Sequence, residues 1–218
     1  MTGVPMSLFA GTLLLIIDVQ NDFCPGGALA VPDGAAVVAP INAMSGVFAR
    51  NGGRVAATQD WHPGGHLSFA SSHPDVSPGG TLDGQVLWPD HCVQGLPGAG
   101  FHPDLDLCPV SLIVRKGFRA GLDSYSAFFE NDRETPTGLA GWVDGLGIRA
   151  VVIAGLATDY CVFYSAMDSL RLGLATTVAL DAVRGVGYPE GSVESAVERM
   201  RSAGVVFSDS RRILEGLS

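Results

Sequence analysis

Four reactive residues stand where short apolar runs give out: Asp18 after LLLII, Asp60 after VAATQ, Lys116 after LIVR, and Cys161 just past VVIAGLATDY. Asp159 reads as the N-cap or a first-turn residue of a helix, which puts Cys161 in that helix's first turn. There the helix dipole and free backbone N–H groups favour thiolate over thiol. A carboxylate such as Asp18 can take the thiol proton and later hand it to a leaving amine. An ammonium such as Lys116 beside that acid keeps it ionised. Each residue alone has an ordinary reading: an inert buried cysteine, a turn-capping acid, a solvated strand-end lysine. Their convergence on one end of several strands is the stronger signal. Lys116 is also the one lysine among 13 basic residues. A bias toward arginine explains its rarity but not its place. Arginine at 116 is a planar fork that stays charged, so Lys116→Arg is expected to fold yet lose most activity.

A second group lies nearby. All five histidines (His62, His66, His73, His91 and His102) fall within residues 61–110. Asp60 and His62 form an Asp-x-His pair, and extended backbone puts alternate side chains on one face. His91 can complete a mixed nitrogen and oxygen set with coordination positions left open. His66, four residues after His62, competes as a ligand. His73 and His102 each precede a proline and read as surface residues.

The elements that must position these residues are short. Strand-length runs recur at 13–17, 55–57, 112–114, 151–153, 176–180 and 205–207, nearly continuous rather than alternating, as in strands buried on both faces. Helical spacing appears over 40–50, 159–172 and 193–203, each followed by glycine. This alternation predicts an α/β fold: a doubly wound, mainly parallel six-stranded sheet with helices on both faces. Residues 61–110, rich in proline and glycine, break the rhythm as a His-rich loop insertion. In open sheets of this kind ligands bind outside the carboxyl ends of the strands.

Composition narrows the function further. With 218 residues, 47% of them hydrophobic, the chain reads as a single folded domain, 1–218. A net charge of −9 with no arginine run argues against nucleic acid as a partner. No apolar stretch reaches the ~20 residues of a spanning helix, so no membrane partner is expected. The opening segment lacks the pattern of a secretory leader, and Cys24, Cys92, Cys108 and Cys161 form no CxxC pair. A reduced cytoplasmic setting is the expectation.

The strings IIDVQNDFCPGGALAV (16–31), ATQDWHPGGHLSFAS (57–71), WPDHCVQG (88–95), RKGFRAGLDSYSAFFEN (115–131) and GLATDYCV (155–162) together resemble the nicotinamidases of the isochorismatase-like cysteine hydrolase superfamily. The resemblance spans most of the chain, in the family's order. It implies Asp18, Lys116 and Cys161 as the catalytic set. Ala157 and Cys161 would supply the oxyanion hole, with a cis bond between Leu156 and Ala157. One divalent ion (Zn, Fe or Mn) would sit on Asp60, His62 and His91 and anchor the pyridine nitrogen of nicotinamide. His66 would stand near the metal, its ligation undecided. Phe23, Trp88 and Tyr125 would border the ring, while Cys24 and Cys92 look like bystanders. The implied reaction is hydrolysis of nicotinamide, and of pyrazinamide, through a thioester. Two other readings stay open: a different amide or carbamoyl hydrolase of the superfamily, or a non-catalytic ligand-binding relative. A homo-oligomer is compatible with the family.

Overall fold

The run LLLII forms a strand whose side chains divide between two cores: Leu13, Leu15 and Ile17 enter one, Leu14 and Ile16 the other. That division follows from the two-residue repeat of extended chain. The computed structural model describes residues 9–216. Most of the opening segment and the last two residues of the expected 1–218 domain lie outside the described residues. In chain order the elements are β1 (Thr12–Ile17), α1 (Val38–Arg50), β2 (Arg54–Asp60), β3 (Thr81–Leu82), β4 (Gln85–Val86), β5 (Leu112–Lys116), α2 (Leu139–Gly145), β6 (Ala150–Leu156), α3 (Phe163–Arg171), β7 (Ala175–Arg184), α4 (Ser192–Ala203), β8 (Val206–Ser208) and α5 (Ser210–Leu214).

Six strands form one sheet in the order β5-β2-β1-β6-β7-β8, and every pairing in it is parallel. On one face α1 buries Ile41, Met44 and Phe48, the spacing of a single helical stripe, together with Ile213 of α5. On the other lie Leu139 and Val143 of α2, Phe163 and Ala166 of α3, and Ala196 and Met200 of α4. The chain winds outward from β1 through β2 to β5, then returns to β6 and winds the other way. Strand order therefore reverses between β1 and β6, where a crevice opens beyond their carboxyl ends. Gly155 allows the two strands to meet there. At φ 116° it faces Ile17, and a Cβ would lie 2.1 Å from the Ile17 carbonyl oxygen.

Three details differ from the sequence expectation. The long segment 61–110 is not wholly irregular, since β3 and β4 pair as a small antiparallel ribbon. α2 went unread because LAGWVDG is short and carries two glycines, which blur any apolar stripe. The helix expected over 159–172 enters through a wider turn at Thr158–Val162, closed by a bond from Val162 N–H to the Ala157 carbonyl at 3.1 Å. Asp159 does not cap it.

Candidate active site and metal-ligand cluster

Lys116 is the centre of the site. Its position at the end of β5 is registered against Asp60 at the end of β2, so the sheet itself brings the two together. Its Nζ lies 2.5 Å from Asp60 Oδ1, 2.8 Å from Asp18 Oδ2 and 2.9 Å from the Ser124 carbonyl, and 3.4 Å from Cys161 Sγ. The side chain is completely buried. An ammonium is tolerated there because two carboxylates and a carbonyl replace its water.

Asp18 follows β1 directly and takes a left-handed φ of 47°, a conformation that aspartate accepts more readily than most residues. Thr58, on β2, donates to Asp18 Oδ1 at 2.6 Å and receives the Asp18 backbone N–H at 3.2 Å. Its other oxygen is left to Lys116 and the thiol. One donor atom from each of Asp18, Asp60 and Cys161 falls within 4.8 Å of the others. Burial pushes the Asp18 carboxyl up, against the pull of Lys116. It likewise pushes the Cys161 thiol well up, with Lys116 again opposing. The thiol expected to favour thiolate is thus held protonated at rest by desolvation, beside an acceptor for its proton.

Asp60 serves a second group. Its Oδ2 lies 3.6 Å from His62 Nε2 and 4.0 Å from His91 Nε2. Both imidazoles are fixed from behind: His62 Nδ1 lies 2.8 Å from the Gly117 carbonyl, and His91 Nδ1 lies 2.8 Å from the Pro89 carbonyl. A carbonyl can only accept, so each Nδ1 carries the proton and each Nε2 offers its lone pair. Burial, then the neighbouring His62, lowers His91 to about 4 and holds it neutral. At His62 burial also works against charge, but the Asp60 carboxylate outweighs it and the shift is upward. At Asp60 burial is outweighed by Lys116 and His62, and the carboxyl stays far below its usual range. Three buried N and O donors thus converge within 4.8 Å, a set suited to a divalent ion. Gly117 is required for it: at φ 63°, a Cβ there would sit 2.5 Å from the His62 ring.

The other sequence-predicted residues divide. Phe23, Trp88 and Tyr125 line the same cavity as Cys161, Asp60, His62 and His91. Trp88 Nε1 and Gln85 Nε2 both donate to the Tyr125 hydroxyl, each at 3.1 Å, which fixes the two rings. The peptide bond between Leu156 and Ala157 is cis. Ala157 reaches the cavity, and its N–H donates to no carbonyl among the described residues. His66 falls in a second buried donor group, with His62 and Asp123, its Nδ1 2.7 Å from Ser68 Oγ and its ring 4.3 Å from that of His62. His73 is not a surface residue as expected; it is half-buried, with Nε2 2.8 Å from the Leu67 carbonyl. His102 is half-buried too, its imidazole accepting the Asp104 N–H. Cys24 and Cys92 are buried and Cys108 exposed, all three free.

Sequence reasoning missed Thr58, Leu29, Asp123, Tyr160 and Val186. Thr58 had a signal, since it precedes Asp60 by two on the same strand face. The Ser124 carbonyl had none, because any residue could supply it.

The isochorismatase domain family matches residues 12–212. A nicotinamidase of Acinetobacter baylyi is 45% identical over 205 residues, 92% of this chain and 94% of that protein. Among solved structures, the Acinetobacter baumanii nicotinamidase and pyrazinamidase superposes with a TM-score of 0.89 at 45% identity, over 97% of this chain and all of that one. A Pyrococcus horikoshii pyrazinamidase, solved with zinc, superposes with a TM-score of 0.77 at 36% identity, over 91% and 99%.

Proposed function

The chain belongs to the isochorismatase family, and from that membership we propose that it is a cysteine amidase converting nicotinamide to nicotinate and ammonia, with pyrazinamide as a second substrate. One observation carries the reading: Cys161 and the Asp60–His62–His91 group open onto a single small, aromatic-walled cavity. A nucleophile suits the carboxamide, and a lone-pair-accepting ion held by those three residues suits a pyridine nitrogen at the far end of the same ring.

Asp18 is assigned as the base. Its Oδ2 takes the Cys161 proton, and the Lys116 ammonium, in reach of both atoms, steadies the negative charge as it passes from oxygen to sulfur. The thiolate attacks the carboxamide carbon. Negative charge then collects on the carbonyl oxygen, toward which the N–H groups of Ala157 and Cys161 are assigned; a donor of this kind is worth about 3–4 kcal/mol in other hydrolases. Asp18 returns the proton to nitrogen, the C–N bond breaks, and ammonia leaves. Water attacks the thioester with Asp18 again as base, breaking the C–S bond and releasing nicotinate. Phe23, Trp88 and Tyr125 hold the ring and exclude bulk water. A divalent ion bound by Asp60, His62 and His91 supplies a coordination position for the ring nitrogen. Zinc is the first metal to test, as the ion in the Pyrococcus horikoshii structure. His66 is assigned a place outside the ligand set. The assigned span is one hydrolase domain, 1–218, in a reducing cytoplasm that suits four free cysteines. Among the described residues no helix is long and apolar enough to cross a membrane.

The direct test is ammonia release from nicotinamide by purified protein reloaded with zinc; none, with zinc bound, overturns the reading. The ligand assignment has its own test. His62→Ala is expected to lose metal and to weaken nicotinamide binding by about tenfold or more. Elemental analysis after dialysis against chelator-free buffer reads the first, and calorimetry with nicotinate the second. Unchanged metal content sinks the assignment whatever happens to turnover.

A further inference from the structure

Asp159 is two residues from Cys161, buried, and unused by the chemistry above. It makes no bond that caps its own helix. Its carboxylate is instead committed to the segment that follows β7. Oδ1 accepts the Val186 N–H at 2.9 Å, while Oδ2 accepts the Gly187 N–H at 2.9 Å and the Ser192 hydroxyl at 2.6 Å. The neighbouring Tyr160 adds a bond from its hydroxyl to the Tyr188 carbonyl at 2.5 Å. Tyr188 in turn donates from its hydroxyl to the Gly79 carbonyl at 2.8 Å. Space is also tight. A Cβ on Gly185 would lie 2.3 Å from Val193 Cγ2 and 3.2 Å from Asp159 Oδ1. The segment 185–192 is therefore tied at both ends to the turn bearing the nucleophile, and Val186 faces the same cavity as Cys161, Tyr160 and Trp88.

We propose that Asp159 is a positioning residue for substrate: it holds the 185–192 segment, and with it the Val186 wall, at a fixed distance from Cys161 so that a flat aromatic carboxamide is gripped against the nucleophile. This rests on the amidase reading above. An ionised carboxylate suits the task, because two N–H groups and a hydroxyl all need acceptors and charge-assisted bonds are the stronger kind. An amide of the same shape cannot serve, since its NH2 turns a donor toward donors. The wall touches the substrate ring and not the scissile bond. Its loss therefore belongs in binding, which ground state and transition state share, rather than in the chemical step.

The test compares wild type with Asp159→Asn, Ser192→Ala and Gly185→Ala, all zinc-loaded. Ammonia release gives kcat and KM, hydrogen exchange reports the Val186 and Gly187 amides, and iodoacetamide reports Cys161 without substrate. For Asp159→Asn the expected result is a rise in KM of about tenfold or more, with kcat and the alkylation rate each within about threefold. Both amides should exchange faster. Gly185→Ala, which crowds the segment and leaves the carboxylate in place, is expected to raise KM in the same way. Ser192→Ala keeps both backbone bonds and is expected to show a smaller rise. An unchanged KM in Asp159→Asn overturns the proposal, as does a fall in kcat and alkylation with KM unmoved, which would place its action on the nucleophile. Should Asp159→Asn fail to fold, an unchanged KM in Gly185→Ala and Ser192→Ala overturns it. If wild type releases no ammonia, the amidase reading fails by itself. Unchanged exchange at Val186 and Gly187 in Asp159→Asn still overturns the tie.

Discussion

Cys161→Ala is expected to abolish ammonia release from nicotinamide while nicotinate still binds. In the proposed reaction the sulfur is the atom that forms the new bond, and it stands in a buried setting with Lys116 Nζ 3.4 Å away and Asp18 beside it. Without the sulfur, the residual groups are a carboxylate and an ammonium with nothing to activate. Removing the nucleophile from a hydrolytic set elsewhere costs on the order of 10^6-fold in turnover, and a loss of that scale is expected here. The cavity walls and the Asp60–His62–His91 group are untouched, so calorimetric affinity for nicotinate should stay within about threefold of wild type. Turnover within about tenfold of wild type would move the chemistry away from Cys161 altogether.

Lys116→Met is expected to damage both stability and turnover. Lys116 pairs with both Asp18 and Asp60, out of contact with water. Breaking a buried ion pair by removing one partner costs about 3–5 kcal/mol, because the remaining charge is stranded. Here Asp18 is stranded, while Asp60 keeps its two imidazole neighbours. Asp18, already pushed up by burial, loses the ammonium that opposed the shift and is driven toward its protonated form. A protonated Asp18 cannot accept the thiol proton, so turnover should fall by at least about 10^3-fold even in the folded fraction. Urea titration in the absence of substrate separates the two effects. A methionine variant with wild-type stability and turnover would reduce Lys116 to packing. The structure also revises the arginine variant. Read from sequence, Lys116→Arg was expected to fold. The Nζ is enclosed by Asp18, Asp60 and the Ser124 carbonyl, with no exposed surface, and a guanidinium is wider than that enclosure. Lys116→Arg is therefore expected to lose stability as well.

Much of this site was legible because parallel sheets announce themselves. A buried strand reads as an unbroken apolar run, so the polar residue that ends it stands out, and Asp18, Asp60 and Lys116 were found that way. The layout of six strands and flanking helices followed from the same runs. What stayed hidden was what those residues do to one another. Nothing in the spacing says that Asp60 gives one oxygen to Lys116 and the other to two imidazoles, because that depends on strand register. The dipole argument for Cys161 leaves out desolvation, which pushes the thiol up, and depth of burial is a property of the folded chain. Asp159 does lie in the first turn, one of its two expected places, but it is not the cap, for a local reason. An acid at a helix start is usually a cap, whereas this one is claimed by backbone N–H groups of Val186 and Gly187, far along the chain.

The strand order β5-β2-β1-β6 carries a consequence for how activity is acquired. Leu13 pairs with Arg54 and Thr12 with Ala150, so the sheet closes only after distant stretches of chain have met. Parallel pairings of this kind carry a large loop-closure cost and form late and slowly. Asp18, Asp60, Lys116 and Cys161 each hang from a different one of those four strands. No hairpin joins any two of them, because every pairing among the four strands is parallel. During refolding, turnover should return with the last cooperative phase and lag helix formation. A half-made sheet exposes two acids, a lysine and a thiol to water as unrelated groups, which react as ordinary side chains do.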